Sequence, residues 1–202
     1  MYYLRCFSTE RCFKVWNTET ANCNNENFPD FKALKSFDCI IGHLDFASSI
    51  KNEAFKELFF CNKIVAHSVV RDPIDRMISL YNYVRNEENH PSHQRMLSVE
   101  PWDFLQYQPE NYQSKWLGIG YFKTIENLKM NIKIVPLEKS NEYFKKFFEK
   151  EFSFKTTLTS KINVTKKVKK DLFDRELLKD NQERELREKH FLDYELYEFS
   201  FQ

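Results

Sequence analysis

The sequence predicts an α/β domain, a three-layer αβα stack on a mainly parallel sheet, spanning residues 1–202. Three observations carry that expectation. Apolar, β-branched runs of strand length recur at 38–46, 64–70 and 132–137, as buried strands do. Helical stretches alternate with them, with apolar residues three and four apart. No internal repeat or linker of shifted composition divides the chain, whose length suits one domain with a sizeable core.

Composition narrows the function. Apolar residues are 42% and aromatics 16% of the chain, so a packed core is expected rather than disorder. Thirty-one basic side chains meet 30 acidic ones, so no global field recruits nucleic acid and any anion binding must be local. No apolar run has the length of a membrane span, and the opening Met1 to Phe7 lacks the order of a secretory signal. Five cysteines, an odd number with no Cys-x-x-Cys pair, read as reduced thiols in a cytoplasmic protein rather than a zinc site. Composition leaves one disulfide open. The three glycines, Gly42, Gly118 and Gly120, form no phosphate-cradling loop with a neighbouring Lys and Ser or Thr.

The elements follow in order. Residues 1–17 suggest a helix face at Tyr3, Leu4 and Phe7, then an extended piece at Phe13, Val15 and Trp16. Residues 18–37 are a polar loop leading to a short helix. The strand at 38–46 ends on Gly42-His43, where a parallel strand opens into a crevice. An imidazole there can accept a proton near neutral pH, or it can be structural. Residues 47–62 fit one amphipathic helix with Ile50, Ala54, Phe55 and Leu58 inward. His67, inside the next strand, reads as a hydrogen-bonded core histidine.

The strand at 64–70 runs through Arg71-Asp72-Pro73 into a helix carrying Ile74, Met77, Ile78 and Tyr81 on one face. Asp72 suits the N-cap and Pro73 the first helical position. Such a corner points backbone N–H groups and the helix dipole above the sheet, a natural anion site. Arg71 adds a planar fork that matches phosphate, and Ser79 adds a hydroxyl. The bland alternative is Arg71 paired with a carboxylate. Beyond the helix, His90 and His93 lack a third metal ligand, so no metal is expected. Trp102, Phe104 and Leu105 suggest a packed helix. The strand at 132–137 precedes a helix over 141–152 with Tyr143, Phe144, Phe147, Phe148 and Phe152 for the core. Residues 160–170 are locally basic, and 171–201 form a charged terminal helix.

Arg71-Asp72-Pro73 followed by Arg76, Ser79 and Tyr81 resembles the 3′-phosphate-binding segment of sulfotransferases that use 3′-phosphoadenosine-5′-phosphosulfate (PAPS). The branch it looks most like contains the heparan sulfate 2-O- and carbohydrate sulfotransferases. The resemblance extends over nearly all of the chain, and implies a P-loop-NTPase-like sulfotransferase fold. It implies that Arg71 and Ser79 hold the 3′-phosphate of the donor. Gly42-His43-Leu44-Asp45-Phe46 is similar to the family segment with a catalytic His, so His43 would be the base. Asn111-Tyr112-Gln113-Ser114-Lys115-Trp116-Leu117-Gly118 resembles a segment lining the acceptor cleft. Asn111 or Gln113 would bond hydroxyls there, and Trp116 would stack on a sugar or pack in the core. Residues 121–126 resemble a strand leading to a Glu. Asn163, Thr165 and Lys166, with Lys161, match an Asn-Val-Thr/Ser stretch that folds over the donor; a solvated basic turn is the other reading. The ending from Asp193 to Phe199 is similar to the family's terminal helix.

The family's first strand and its loop for the 5′-phosphosulfate have no counterpart, and Met1 falls just after that loop. The loop Lys, which places positive charge on the bridging oxygen of the leaving phosphate, is therefore missing. Lys14 and Thr9 do not replace it. The expected activity is sulfuryl transfer from PAPS to a hydroxyl, on a carbohydrate acceptor, with no metal. Two alternatives stand beside it: a member that binds adenosine 3′,5′-bisphosphate without turnover, and a phosphate- or nucleic-acid-binding module using Arg71 and the late lysines.

Overall fold

The computed structural model describes residues 12–15, 39–42, 45–61, 65–152 and 172–202. It is α/β in class, mostly helical with short strands. In chain order the elements are β1 (Cys12–Val15), β2 (Cys39–Gly42), α1 (Phe46–Ser49), α2 (Glu53–Phe60), β3 (Ala66–Val70) and α3 (Pro73–Asn86). There follow α4 (His93–Met96), α5 (Pro101–Gln106), α6 (Tyr112–Trp116), α7 (Ile119–Phe122), α8 (Ile125–Asn131), β4 (Ile132–Pro136) and α9 (Leu137–Phe152). A 3₁₀ turn at Arg175–Leu177, then α10 (Asp180–Lys189) and α11 (Phe191–Phe199), complete the described chain. Among the described residues no helix is long and apolar enough to cross a membrane.

The strands form two pairs. β1 and β2 are parallel, with Cys12 opposite Cys39 and Val15 opposite Gly42; β3 is hydrogen-bonded to β4. Two compact units emerge: Met1–Val69 with Ser114–Ile162, and Val70–Gln113 with Asn163–Gln202.

In the first unit, the single helix expected over 47–62 is two. Asp45 caps α1, its Oδ1 accepting the Ser48 N–H at 3.1 Å. Asn52 Oδ1 then accepts the Phe55 N–H at 3.2 Å as α2 begins. Short polar side chains that bond nearby backbone end one helix and start another even where the apolar period runs on. Ile50, Phe55 and Leu58 are nevertheless buried, as expected. Phe46 meets Phe55 and Phe59 edge-on at 5.5 and 5.0 Å. The strand expected at 121–126 is instead the end of α7 and the start of α8. Gly118 turns into α7 at φ +87°, which favours glycine, and Thr124 Oγ1 caps α8 by accepting the Asn127 N–H at 3.1 Å. β4 then runs straight into α9. His67 on β3 is hydrogen-bonded, its Nδ1 lying 2.9 Å from the Tyr143 hydroxyl, with the Phe147 ring 4.4 Å away.

The second unit is built on α3. Ile74, Met77 and Ile78 are buried with Leu105 of α5, Leu186 of α10 and Tyr194 of α11. A further turn along, Tyr81 and Val84 pack with Met96. Trp102 and Phe104 lean on the first of these clusters, as the sequence suggests for a packed helix. The terminal helix expected as one element breaks at His190, which closes α10 and opens α11.

Candidate functional site

The site begins where the chain leaves β3. Asp72 is the N-cap of α3 and Pro73 its first residue, as local chemistry requires. Asp72 Oδ1 accepts the Ile74 N–H at 2.9 Å and the Asp75 N–H at 3.1 Å. This corrects one expectation: these backbone donors do not face a ligand, because the Asp72 carboxylate fills the helix terminus. Arg175 Nη1 lies 3.1 Å from Asp72 Oδ1 and 3.2 Å from Asp75 Oδ1, and its Nη2 lies 2.5 Å from Glu183 Oε1. Burial works to lower the Arg175 pKa, but the hydrogen bond to Glu183 and the charge of Asp72 outweigh it and hold the group protonated.

Arg71 sits immediately before the cap. Its main chain is gripped at both polar groups by one side chain: its N–H donates to Gln113 Oε1 at 3.0 Å, and Gln113 Nε2 donates to its carbonyl at 2.8 Å. Its guanidinium is partly exposed and has no side-chain partner among the described residues. Ser79, two turns into α3, is likewise partly exposed, and its hydroxyl has no partner among the described residues. Both are hydrogen-bond donors of the kind that hold phosphate.

Gln113 is itself held. Its N–H donates to Asp193 Oδ2 at 3.0 Å. Asn111 Oδ1 accepts the Leu192 N–H at 2.9 Å and the Asp193 N–H at 3.4 Å, and the Asn111 N–H donates to His190 Nδ1 at 3.2 Å. That bond makes Nδ1 the acceptor of a neutral ring. Desolvation is the largest cause that pushes the His190 pKa down, to about 4; Asp193 opposes it, while Lys189 and Arg76 add to it. Arg76 lies 4.6 Å over the Tyr112 ring. Burial lowers its pKa, and Asp193, followed by Tyr112, offsets this in part. Its Nε and Nη2 are buried without hydrogen-bond partners among the described residues.

The residues expected at a site thus fall into three groups. Arg71 precedes the cap of α3 and Ser79 lies two turns into it, both with polar ends that have no partner among the described residues. Asn111 and Gln113 have side chains engaged with backbone inside the protein, and Trp116 is half-buried at the end of α6. His43, Lys161, Asn163, Thr165 and Lys166 lie outside the described residues. His90 and His93 each meet backbone: His90 Nδ1 accepts the Ser92 N–H at 3.1 Å, and His93 Nδ1 is 3.3 Å from the Val84 carbonyl. Sequence reasoning passes over Arg175, His190 and Asp193. The first is one charge among many, and the other two sit in a stretch that reads as a single charged helix.

Comparison with protein-family models finds no match to the chain, and comparisons with curated proteins and with solved structures find none either.

Proposed function

We propose that this chain binds a 3′-phosphorylated adenosine nucleotide through Arg71 and Ser79, and that it is a PAPS-dependent sulfotransferase acting on a carbohydrate hydroxyl. The three-layer, P-loop-NTPase-like sulfotransferase fold and a cytoplasmic location belong to the same proposal. One observation carries it: the Arg71 guanidinium before α3 and the Ser79 hydroxyl on α3 have no side-chain partners among the described residues, and the Arg71 backbone is fixed by Gln113 next to the Asp72 cap. Arg175, by contrast, is committed to carboxylates in this same unit.

In the reaction, the acceptor oxygen forms a bond to sulfur as the bond from sulfur to the bridging phosphate oxygen breaks. His43 takes the hydroxyl proton, and adenosine 3′,5′-bisphosphate leaves. Arg71 and Ser79 act on binding and orientation of the donor.

Titration calorimetry of adenosine 3′,5′-bisphosphate and adenosine 5′-monophosphate tests the binding step. Arg71→Ala is expected to weaken the bisphosphate by about ten- to a hundredfold, a charge-assisted contact of about 1.5–3 kcal/mol, with little change for the monophosphate. Equal losses for both would remove the 3′-phosphate assignment. Tight binding of the bisphosphate without sulfate transfer from PAPS would favour a binding protein without turnover. Preference for single-stranded RNA would favour a nucleic-acid module.

A further inference from the structure

We propose that Gln113 is a positioning residue for Arg71, and that the start of α11 sets it through Asn111 and Asp193. The inference rests on Arg71 as the 3′-phosphate ligand. Arg71 follows directly on the last residue of β3, where ladder hydrogen bonds end and backbone dihedrals are freest. The Gln113 carboxamide supplies what a neighbouring strand would, one acceptor and one donor to the same residue, at 3.0 and 2.8 Å. Fixing the backbone at that point fixes the root of the guanidinium.

The grip is built from an unusually committed turn. Asn111 holds φ +50°, a conformation that costs a non-glycine residue energy and persists where surroundings over-determine it. Here they do. Its N–H is taken by His190, its side-chain oxygen by two amides at the start of α11, and the next anchor is Asp193 on Gln113. Both His190 and Asp193 are fully buried. A surface loop would fold without a buried imidazole and a buried carboxylate; the product of this arrangement is the two-point hold on Arg71. Both ends of the Gln113 carboxamide are engaged in this hold.

The test uses the full chain and calorimetry with adenosine 3′,5′-bisphosphate, well below the melting temperature of each variant. Gln113→Met keeps the length and removes both hydrogen bonds. It is expected to cost about tenfold in affinity and to speed hydrogen exchange at the Arg71 amide. Gln113→Glu supplies a rescue. As a carboxylate it faces the Arg71 carbonyl with no donor; protonated, it regains one. Its affinity relative to the unsubstituted chain should therefore rise as pH falls from about 8 to 5. The nearby groups Arg71, Arg76, Asp193 and His190 are common to both proteins, but the new carboxylate's charge belongs to the variant alone, so the rise is read beside Gln113→Met, which adds no charge.

Wild-type affinity in Gln113→Met, where Arg71→Ala has lost binding, overturns the positioning inference and leaves the phosphate reading standing. Unchanged binding in Arg71→Ala overturns the phosphate reading, and the inference with it. Should Gln113→Met fail to fold, a Gln113→Glu ratio that stays flat with pH overturns the inference by itself.

Discussion

Arg175 and Asp72 are joined across the start of α3, Nη1 to Oδ1 at 3.1 Å, so the carboxylate that caps the helix is itself capped by a guanidinium. The same guanidinium reaches Asp75 and Glu183, tying α3 to α10. Removing it leaves three carboxylates near one another, one of them buried. Arg175→Ala is expected to destabilise the protein by about 1–3 kcal/mol, measured by urea unfolding. In an Asp72→Asn background the same change should cost less, because the pair couples. Equal costs in both backgrounds would show that Asp72 and Arg175 act independently.

Asn82 gives the second prediction. Its Nδ2 donates to the Phe173 carbonyl at 2.8 Å and its Oδ1 accepts the Phe173 N–H at 3.0 Å. Asn82 is buried on α3, and the Phe173 ring packs against Tyr81. Asn82→Ala removes the partners of two backbone groups and is expected to cost about 1–3 kcal/mol. Hydrogen exchange at the Phe173 amide should rise well beyond the global change; unchanged protection there would refute the clasp.

Acid should weaken the fold through histidine. The His190 pKa is held at about 4, against an ordinary 6.5, chiefly by burial. Between those values the unfolded chain binds a proton that the folded chain refuses. The contribution of this group is complete above about pH 6.5 and is lost as pH falls towards 4. The slope reaches at most about 1.4 kcal/mol per pH unit. His67 adds to it, its pKa lowered first by burial and then by Lys133, with Glu151 opposing. Glu183, held low mainly by its Arg175 hydrogen bond, contributes stability lost at still lower pH. Urea unfolding between pH 7 and 4 should show His190→Gln with a shallower acid limb than the unsubstituted protein; identical limbs would mean that His190 titrates alike in the folded and unfolded chains.

These groups also show what a single sequence makes legible. Asp72 and Pro73 as cap and first turn, the buried face of Ile74, Met77, Ile78 and Tyr81, and the apolar runs that became β2, β3 and β4 depend on residues a few places apart, where capping and periodicity act. Gln113 meets Arg71 across 42 positions and Arg175 meets Asp75 across 100. Nothing local marks those pairs, because tertiary packing chooses the partner of a long polar side chain. That is why Gln113 reads as an acceptor ligand in sequence and as a backbone clasp in the structure. The breaks at Asn52 and His190 escape for a related reason. Apolar spacing continues across both, and local hydrogen bonds decide the geometry.

His43 carries the last prediction. β2 pairs in parallel with β1 and ends at Gly42; His43 is the next residue in the sequence and lies outside the described residues. In the proposed reaction His43 acts on the acceptor hydroxyl in the transition state, whereas Arg71 and Ser79 act on the donor before and during transfer. The two kinds of variant should therefore separate. His43→Ala is expected to lower sulfate transfer by about 10²–10⁴-fold while leaving affinity for adenosine 3′,5′-bisphosphate within about twofold, since a group used only in the transition state adds little to ground-state binding. Ser79→Ala should do the reverse: about tenfold weaker bisphosphate binding for one lost hydrogen bond, and nearly normal turnover at saturating PAPS. Calorimetry paired with a transfer assay at saturating donor reads both quantities. A His43→Ala protein that folds and turns over normally would make this histidine structural, and transfer would then need a different base.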